Sequence, residues 1–396
     1  MILTAKQEQG LKIAIERYNN HEPYTVIAGF AGVGKSTLIR FIIAALDIDP
    51  HFVTYIAYTG KAAQVLRTKG CHNAMTAHKL LYNSRPRDDG TFIHIPVESL
   101  APYKLVVVDE ISMLPKRMWD QLLFYGVHVI ALGDPGQLPP VAAENNGVLE
   151  HPHIFLDEVM RQAAESEIIQ LTMDIRNGKT LEYRSGQEVK VVDRTELLKP
   201  GFLYWGDQII CGKNDTRRII NSRMREGIWK EKYQQEPIVG DKLICLRNDW
   251  DIVSSSGDAM VNGLTGHMTY IRYAEDPKEM NPYMKRTPII DFTPDYDGAG
   301  SFTGIEIDYK LLTEGETTIT RGYNSNWKKI PKMFHPHEFD YGYAITCHKS
   351  QGSEFNKVIV LEEYLKGENR EDHIRWLYTA ATRAAQKLII VKNFHI

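Results

Sequence analysis

Short, almost continuously apolar runs alternate with amphipathic helical patterns over the first 156 residues of the chain. The runs at 24–28, 52–57, 105–108 and 129–132 have the composition of parallel strands that are buried on both faces of a sheet. Strands of this kind, alternating with helices, predict a doubly wound α/β domain. Ligands of such domains bind at the carboxyl ends of the strands.

A polar insert over residues 83–100 interrupts this alternation. Its sequence predicts a turn over 85–90, followed by a short strand over 91–95 that contains Phe92. The insert therefore predicts a small β-hairpin that projects from the first α/β domain.

A second α/β pattern follows a helix that is predicted over 166–176. It begins near Phe202 with a strand at 208–211, and Asn214 is expected to cap the next helix. The pattern resumes much later in the chain, at 343–348, 358–361, 376–382 and 388–391.

Long helical patterns are missing from the intervening segment, residues 247–337. Strand-like stretches at 267–273, 287–292 and 303–309 are separated there by turns rich in Gly, Pro, Asp and Asn. The segment predicts a small β-barrel inserted into the second α/β unit.

The composition is that of an ordinary globular protein. The 396 residues are 43% hydrophobic and 24% charged, and a net charge of −3 does not by itself indicate a nucleic-acid partner. The four cysteines have no paired spacing, so we expect reduced thiols in a cytoplasmic protein and no zinc site. We expect neither a signal peptide nor a membrane partner, because the first residues lead directly into a helix and no apolar run reaches membrane-spanning length.

The most specific motif follows the strand predicted at 24–28. It reads Gly29-Phe30-Ala31-Gly32-Val33-Gly34-Lys35-Ser36-Thr37 and precedes an apolar helical run. Strand, glycine loop and helix in this order are the context of a phosphate-binding P-loop, whose backbone N–H groups and helix dipole face the anion. We predict that Lys35 reaches the β- and γ-phosphates of ATP and that the Ser36 hydroxyl binds Mg²⁺. The other predicted nucleotide-binding residues of the loop are Gly29, Gly32, Gly34 and Thr37.

Polar residues also follow two later strands. Asp109 and Glu110 come directly after 105–108; Asp109 is predicted to hold Mg²⁺, and Glu110 to orient and deprotonate the attacking water. Gln137 follows 129–132, where its amide can hydrogen-bond the γ-phosphate and sense its loss.

These motifs, with six further stretches in the same order, resemble the superfamily-one 5′-to-3′ DNA helicases of the RecD-like and Dda-like kind. The stretches 3–7, 57–63, 76–81, 156–162, 344–355 and 377–384 resemble the family's Q motif and motifs Ia, Ib, IV, V and VI. The match departs from the family at Tyr58, where a proline is usual. The resemblance implies two RecA-like P-loop domains, an SH3-like β insert, and ATP hydrolysis stimulated by DNA.

The resemblance also implies roles for individual residues around the nucleotide. Gln7 would read the adenine edge, although Thr4 and Gln7 have equally the spacing of a helix capping box. Arg161 and Arg383 would point at the γ-phosphate. Gln351, Gly352 and Glu354 would link the nucleotide to the DNA contact.

For the DNA itself, the resemblance implies contacts to the single-strand backbone from Thr59, His78, Thr346 and His348. Trp376 is a candidate for base stacking, with a core position as the equal alternative. Phe92 would stack on the last base pair of a duplex if the hairpin acts as a strand-separating pin, and otherwise packs within the hairpin.

The domain boundaries follow from these assignments. We expect 1–82 with 101–178 as the first RecA-like domain and 83–100 as the pin-like insert. We expect 179–246 with 338–396 as the second RecA-like domain and 247–337 as the SH3-like insert.

The predicted function is that of an ATP- and Mg²⁺-dependent helicase that moves 5′ to 3′ on single-stranded DNA and opens duplexes at forks. We expect a bacterial or viral protein that acts as a monomer or with a replication or recombination partner. A translocase that displaces proteins, an RNA helicase of the same superfamily and a nucleotide switch without stepping stay open as alternatives. DNA replication, recombination and repair are all open as pathways.

Overall fold

The structure is a computed structural model. It describes residues 3–86, 92–139, 146–160, 164–256, 259–296, 298–319, 323, 328–331 and 334–394. At 84–86, 92–94, 250, 251 and 259 we describe the backbone alone. The chain forms two compact units: Met1–Asn83, Pro96–Gly212 and Thr346–Ile396 make the first, and Ser84–Ile95 and Lys213–Ile345 make the second.

The first unit contains a six-stranded parallel sheet. In spatial order its strands are Met75–Thr76, Val53–Ala57, Leu105–Val108, His128–Gly133, Tyr24–Gly29 and Ile154–Leu156. The four predicted strands are confirmed within one or two residues at each end. Its neighbouring helices are Ala5–Asn19, Lys35–Ala45, Gly60–Thr68, Ala77–Leu81 and Lys116–Phe124.

Alternate residues of these strands bury opposite faces of the sheet. Ile27, Val107 and Ile130 pack with Leu38 and Ile42 of the helix that follows the P-loop. On the other face Val26, Val106 and Val129 pack with Leu81 and Trp119 from other helices. A sheet covered on both faces explains the near-continuous apolar runs and confirms the doubly wound domain.

The first unit also holds most of a second six-stranded sheet. Its strands, in spatial order, are Ala344–Thr346, Gln208–Cys211, Phe355–Leu361, Ala384–Lys392, Val189–Asp193 and Arg184–Ser185. The four strands from Gln208–Cys211 to Val189–Asp193 pair in parallel, and at one edge Arg184–Ser185 is antiparallel to its neighbour. Its helices include Glu167–Arg176, Cys347–Ser350 and Arg370–Ala381, so the second α/β pattern is confirmed as well.

The second unit is dominated by an antiparallel sheet of five strands: Phe302–Glu306, Pro288–Pro294, Thr265–Tyr273, Lys242–Cys245 and Phe339–Tyr341. Two further pairs are Asp249–Val253 with Ala259–Met260 and the hairpin of Tyr82–Pro86 with Phe92–Pro96. Helices Asn214–Trp229 and Tyr309–Glu314 complete the unit.

Three local predictions are wrong. Asn214 does not cap its helix, because Lys213 has extended backbone and Asn214 is already the first helical residue. The strand predicted over 303–309 ends at Glu306, since the Asp308 carboxylate accepts hydrogen bonds from the backbone N–H groups of Lys310 and Leu311 and starts a helix. Residues 85 and 86 extend a strand instead of beginning the predicted turn.

Among the residues described, no helix is both long and apolar enough to cross a membrane.

Candidate active site

The P-loop connects the strand Tyr24–Gly29 with the helix Lys35–Ala45. Gly32 and Gly34 have φ angles of 76° and 78°, a left-handed conformation that side chains other than glycine rarely adopt. A Cβ atom on Gly34 would lie 2.5 Å from both the Gln7 Nε2 and the Met160 Sδ. The loop therefore requires glycine at position 34 for its conformation and for the space around it.

The ring of Phe30 anchors the P-loop from outside. Phe155 packs against it edge to face with ring centroids 5.4 Å apart, and the Arg176 guanidinium lies 3.6 Å from the ring centroid. These contacts hold the loop from the neighbouring strand and from the end of the helix Glu167–Arg176, which fixes the direction of its backbone N–H groups.

Lys35 is the first residue of the helix that follows the loop. Its Nζ donates hydrogen bonds to the carbonyl oxygens of Gly29, at 2.7 Å, and Phe30, at 3.0 Å. The ammonium group is thus held beside the loop by carbonyl oxygens that a phosphate oxygen can replace. Ser36 and Thr37 follow in the first turn.

Gln7 is almost fully buried beside this loop. Its Oε1 accepts from the Thr4 backbone N–H at 3.0 Å, and its own N–H donates to the Thr4 Oγ1, so the capping box is formed. Its Nε2 donates to the Val33 carbonyl oxygen at 3.0 Å. Both ends of the amide are engaged within the protein, and an adenine contact by Gln7 stays a prediction.

Asp109 and Glu110 lie where the strand Leu105–Val108 ends. Asp109 and Ser36 line one cavity of about 390 Å³, which also borders Arg40, Tyr55 and Lys69. Burial raises the pKa of both carboxyl groups, while the charges of Lys35 and Arg383 act in the opposite direction. Glu110 has a left-handed backbone with φ 51°, which is strained for a glutamate and turns the chain away from the strand.

The loop of residues 134–139 carries Gln137 and is called the Gln137 loop below. The Asp134 Oδ1 accepts from the Gly136 N–H at 2.8 Å, and the Asp134 carbonyl oxygen accepts from the Gln137 N–H at 3.3 Å. The other carboxylate oxygen of Asp134 accepts from the Tyr378 hydroxyl at 2.7 Å. The same hydroxyl accepts from the Ala31 N–H of the P-loop at 2.9 Å.

Two further hydrogen bonds tie the Gln137 loop to helical segments that belong to the second α/β pattern. The Leu138 N–H donates to the Thr379 Oγ1 at 2.9 Å, and the Leu138 carbonyl oxygen accepts from the Gln351 Nε2 at 2.8 Å. Gln351 and Thr379 are both buried. Groups from both parallel sheets therefore meet at the Gln137 loop.

Arg383 follows the helix Arg370–Ala381 and is buried. Its guanidinium donates to the carbonyl oxygens of Thr379, at 3.1 Å, and Ser353, at 3.3 Å, and to the Thr382 hydroxyl at 3.0 Å. Its charge is the largest influence that lowers the pKa of Glu110 against the effect of burial. The positive charge of Arg383 therefore acts on both Asp109 and Glu110 and favours their ionised forms.

Two further residues of the motif V stretch, Gly352 and Glu354, lie near the helix Gly60–Thr68 and the residue that follows it. Gly352 has φ 70°, and a Cβ there would lie 3.0 Å from the Ala62 Cβ and 3.4 Å from the Thr59 Oγ1. Glu354 forms an exposed ion pair with Lys69 at 2.7 Å. A nucleotide contact by Gly352 or Glu354 stays a prediction.

The residues predicted to contact DNA occupy different environments. Thr59 caps its helix by accepting from the Ala62 N–H at 3.2 Å, and His78 packs against Tyr82. Thr346 is buried, and burial lowers the pKa of His348. These geometries leave the DNA contacts as predictions.

Of the two alternatives for Trp376, base stacking is wrong and the core position is confirmed. Its side chain is 1% exposed and lies in the core, so its ring is not available to a nucleotide base. Sequence position beside motif VI does not distinguish the two faces of the helix Arg370–Ala381, and Trp376 lies on the inner one. Arg161 and the side chain of Phe92 lie outside the described residues.

Sequence analysis missed Tyr378, Asp134 and Thr379. Tyr378 and Thr379 lie within the motif VI stretch, and Asp134 lies within the stretch that contains Gln137. Membership of these stretches was the sequence signal that could have pointed to them. Their part in the site becomes visible only from the hydrogen bonds that join the two stretches.

Two protein families match the chain. The family described as "AAA domain" matches residues 3–196, and the family described as "UvrD-like helicase C-terminal domain" matches residues 341–391. The first range contains the P-loop, both carboxylates and Gln137, and the second contains Gln351, Tyr378 and Arg383.

Individual proteins are similar as well. The chain is 36% identical to the ATP-dependent RecD2 DNA helicase of Deinococcus radiodurans, over 91% of this chain and 46% of that protein. It is 29% identical to the ATP-dependent DNA helicase dda of Enterobacteria phage T4, over 45% of this chain and 43% of that protein. The chain thus spans less than half the length of RecD2, and its match to dda covers less than half of either protein.

The fold has solved counterparts. The crystal structure of Pif1 helicase from Bacteroides in complex with ADP-AlF3 and ssDNA aligns with a TM-score of 0.55 and 19% identity, covering all of this chain and 94% of that one. The likeness shows a shared fold.

Proposed function

Because this chain belongs to the RecD-, Pif1- and Dda-like family of superfamily-one helicases, we propose that it is an ATP-dependent DNA helicase that moves 5′ to 3′ on single-stranded DNA. The observation that carries the proposal is the convergence of both parallel sheets on one set of groups. Lys35, Glu110 and the Gln137 loop come from the first sheet, whereas Arg383 and Gln351 come from the second.

ATP is the proposed substrate, and the P-loop supplies what its phosphates need. The glycine loop leads into a helix N-terminus, whose free N–H groups favour an anion, and the Lys35 ammonium lies beside the same loop. RecD2 and dda are named ATP-dependent, and the Bacteroides Pif1 complex contains ADP-AlF3, in agreement with this substrate.

Mg²⁺ fits the same site. Ser36 and Asp109 contribute a hydroxyl and a carboxylate oxygen to one cavity, and oxygen ligands of this kind are what Mg²⁺ prefers. When bound, Mg²⁺ would neutralise charge on the phosphate oxygens.

Hydrolysis is assigned to this chain's own side chains. Glu110 takes a proton from the attacking water, and the raised pKa that burial gives it makes it a better proton acceptor than an exposed glutamate. Lys35 exchanges its carbonyl partners for phosphate oxygens. Gln137, Arg161 and Arg383 bind the γ-phosphate, with Arg383 leaving its carbonyl partners to do so.

DNA movement follows from making and breaking these contacts. The two RecA-like domains (1–82 with 101–178, and 179–246 with 338–396) would close on ATP and open after hydrolysis. The first would grip the strand through Thr59 and His78, and the second through Thr346 and His348. The hydrogen bond from Gln351 to Leu138 joins the nucleotide-side loop to the segment that carries Thr346 and His348. Each cycle of ATP binding and hydrolysis would therefore move the protein along the single strand.

The inserts have proposed roles in strand separation. The hairpin of Tyr82–Pro86 and Phe92–Pro96 would act as the pin within 83–100, with Phe92 at the fork. The five-stranded antiparallel sheet supports an SH3-like domain within 247–337, although two of its strands lie just outside that range.

The experiment compares two matched duplexes, one with a 5′ single-stranded tail and one with a 3′ tail, and records strand separation and phosphate release together. We expect both signals on the 5′-tailed duplex and phosphate release alone on the 3′-tailed one. Strong phosphate release with neither duplex opened identifies a translocase, and opening from the 3′ tail overturns the polarity. A parallel set with RNA tails separates a DNA helicase from an RNA helicase.

A further inference from the structure

The hydroxyl of Tyr378 lies at the centre of a directional chain of hydrogen bonds. The Ala31 N–H donates to it at 2.9 Å, and it donates its own proton to the Asp134 carboxylate at 2.7 Å. A phenol has one proton to give, so its orientation is fixed by this pair of partners. Tyr378 is 1% exposed and Asp134 is 3% exposed, so solvent water cannot readily replace either group as a hydrogen-bond partner.

Each end of this chain lies in a loop to which we assign a part in ATP hydrolysis. Ala31 belongs to the P-loop, whose backbone N–H groups are the proposed phosphate ligands. Asp134 holds the Gln137 loop through the Gly136 N–H and the Gln137 N–H. Tyr378 itself lies five residues before Arg383, and its carbonyl oxygen accepts from the Thr382 N–H.

The packing leaves Tyr378 little freedom to move. A Cβ on Gly136 would lie 3.1 Å from the Tyr378 Cε1, so the ring packs closely against the Gln137 loop at this glycine. Beside it, the Leu138 N–H donates to the Thr379 hydroxyl, a second contact between the same loop and the same helix. The hydroxyl and the ring thus fix the register between loop and helix.

We propose that Tyr378 is a positioning residue for ATP hydrolysis, which holds the P-loop and the Gln137 loop in a fixed register to the helix that precedes Arg383. The Ala31 N–H cannot serve the hydroxyl and a phosphate oxygen equally well. Binding of the phosphates therefore weakens one hydrogen bond to Tyr378 and transmits the change to Asp134 and the Gln137 loop. The inference rests on the proposed ATP hydrolysis.

The test uses the full chain with Tyr378→Phe, which keeps the ring and removes the hydroxyl. Its matched control is Tyr341→Phe, because the Tyr341 hydroxyl is also buried and has no hydrogen-bond partner among the residues that the structure describes. Phosphate release gives kcat and KM for ATP with and without single-stranded DNA, and a fluorescent ADP analogue gives nucleotide affinity. Circular dichroism and thermal melting check that each variant is folded.

We expect Tyr378→Phe to lower kcat about tenfold or more while nucleotide affinity stays within about threefold of the wild type. Tyr341→Phe should match the wild type in kcat. An equal kcat for the two phenylalanine variants overturns the proposal, as does a loss in affinity that accounts for the whole effect. Absence of hydrolysis by the wild type overturns instead the function on which the proposal rests.

A double-mutant cycle separates positioning from general destabilisation. Asp134→Asn keeps one acceptor oxygen, which can serve the Tyr378 hydroxyl or the Gly136 N–H but not both, so it should retain more of kcat than Asp134→Ala. Asp134→Ala should lose at least as much of kcat as Tyr378→Phe. Because both residues act through one chain of hydrogen bonds, the double variant Tyr378→Phe with Asp134→Ala should be no slower than the worse single variant. Multiplied losses in the double variant contradict the proposal.

Discussion

The Nζ of Lys35 donates a hydrogen bond to the carbonyl oxygen of Gly29, 2.7 Å away, and so bridges the two ends of the P-loop. Lys35 begins a helix, and Gly29 ends a strand. In this arrangement the ammonium group lies within the loop before any phosphate arrives. The loop therefore presents a positive charge that needs only a change of partner to bind ATP.

Replacing this lysine should remove hydrolysis without unfolding the chain. Lys35→Ala deletes the charge that faces the β- and γ-phosphates, and we expect the phosphate release rate to fall at least about 100-fold. Thermal melting should stay close to that of Lys12→Ala, an exposed lysine of the first helix that serves as the control. Full turnover by Lys35→Ala would mean that the nucleotide site has been assigned wrongly.

Glu110→Gln should separate ATP binding from ATP hydrolysis. The amide keeps the size of the side chain but cannot accept the proton of the attacking water, so nucleotide affinity should persist while turnover stops. Equilibrium binding of a fluorescent ATP analogue and phosphate release measure the two properties. Glu98→Gln, at an exposed position, is the control, and turnover of Glu110→Gln at the wild-type rate would remove Glu110 from the role of base.

His373 should make stability depend on pH. Burial alone would lower its pKa, but the hydrogen bond to Glu362 and the charges of Glu368 and Glu362 outweigh burial and raise it above the ordinary value of 6.5. Its protonated form is thus favoured in the folded state. The resulting stabilisation is complete below the unfolded pKa and is lost as the pH rises through the raised folded pKa.

The measurement compares wild type with His373→Phe in urea at pH 5.5 and pH 9. Phenylalanine keeps an aromatic ring against Tyr364, which stacks on His373 with centroids 3.8 Å apart. The wild type should exceed the variant in free energy of unfolding by more at pH 5.5 than at pH 9. A difference that is the same at both values excludes a charged His373.

The buried ion pair of Arg225 and Asp241 should be essential for the second unit. Both side chains are almost fully buried, and the Asp241 carboxylate also accepts hydrogen bonds from Trp229, Tyr343 and the Ile238 N–H. Asp241→Asn removes the counter-charge of a buried guanidinium, and we expect a loss of about 3–5 kcal/mol in the free energy of unfolding.

The control for that change is the exposed pair of Lys116 and Asp120. Lys116→Ala should cost about 1 kcal/mol or less, because water solvates both groups and screens their attraction. Equal losses for the two variants in urea-induced unfolding would show that burial of the Arg225–Asp241 pair does not determine its contribution.

Phe92→Ala should impair strand separation far more than ATP hydrolysis. Residue 92 begins the second strand of the predicted pin hairpin. Unwinding and phosphate release are measured on the same 5′-tailed duplex, with the exposed Ile95→Ala in the same strand as the control. Parallel loss of both activities would argue against a pin.

The sequence was sufficient to predict those features of the fold and site that depend on the local properties of a few neighbouring residues. Gly32 and Gly34 indicated a loop whose backbone conformation requires glycine, and the apolar run at 105–108 indicated a buried strand. Period and composition decide such features locally, so they were predicted from residues alone.

What could not be predicted depends on which residues meet across long separations. Trp376 and Tyr378 are two positions apart in one helix, and both are buried, yet only the Tyr378 hydroxyl reaches the P-loop and the Gln137 loop. Helical spacing alone does not show which buried side chain finds a polar partner 244 residues away. The capping of helices by Lys213 and Asp308 likewise depended on backbone conformation that composition did not determine.

The order of strands in the second sheet has a consequence during synthesis on the ribosome. All strands of the first sheet lie within residues 24–156, so that sheet can form while the rest of the chain is still being made. In the second sheet Phe355–Leu361 and Ala384–Lys392 separate Gln208–Cys211 from Val189–Asp193. Gln208–Cys211 must therefore wait for Phe355–Leu361, and Val189–Asp193 for Ala384–Lys392, before these parallel partners emerge, at about 5–20 residues per second. The first sheet can thus be complete before the second sheet has gained its central strands.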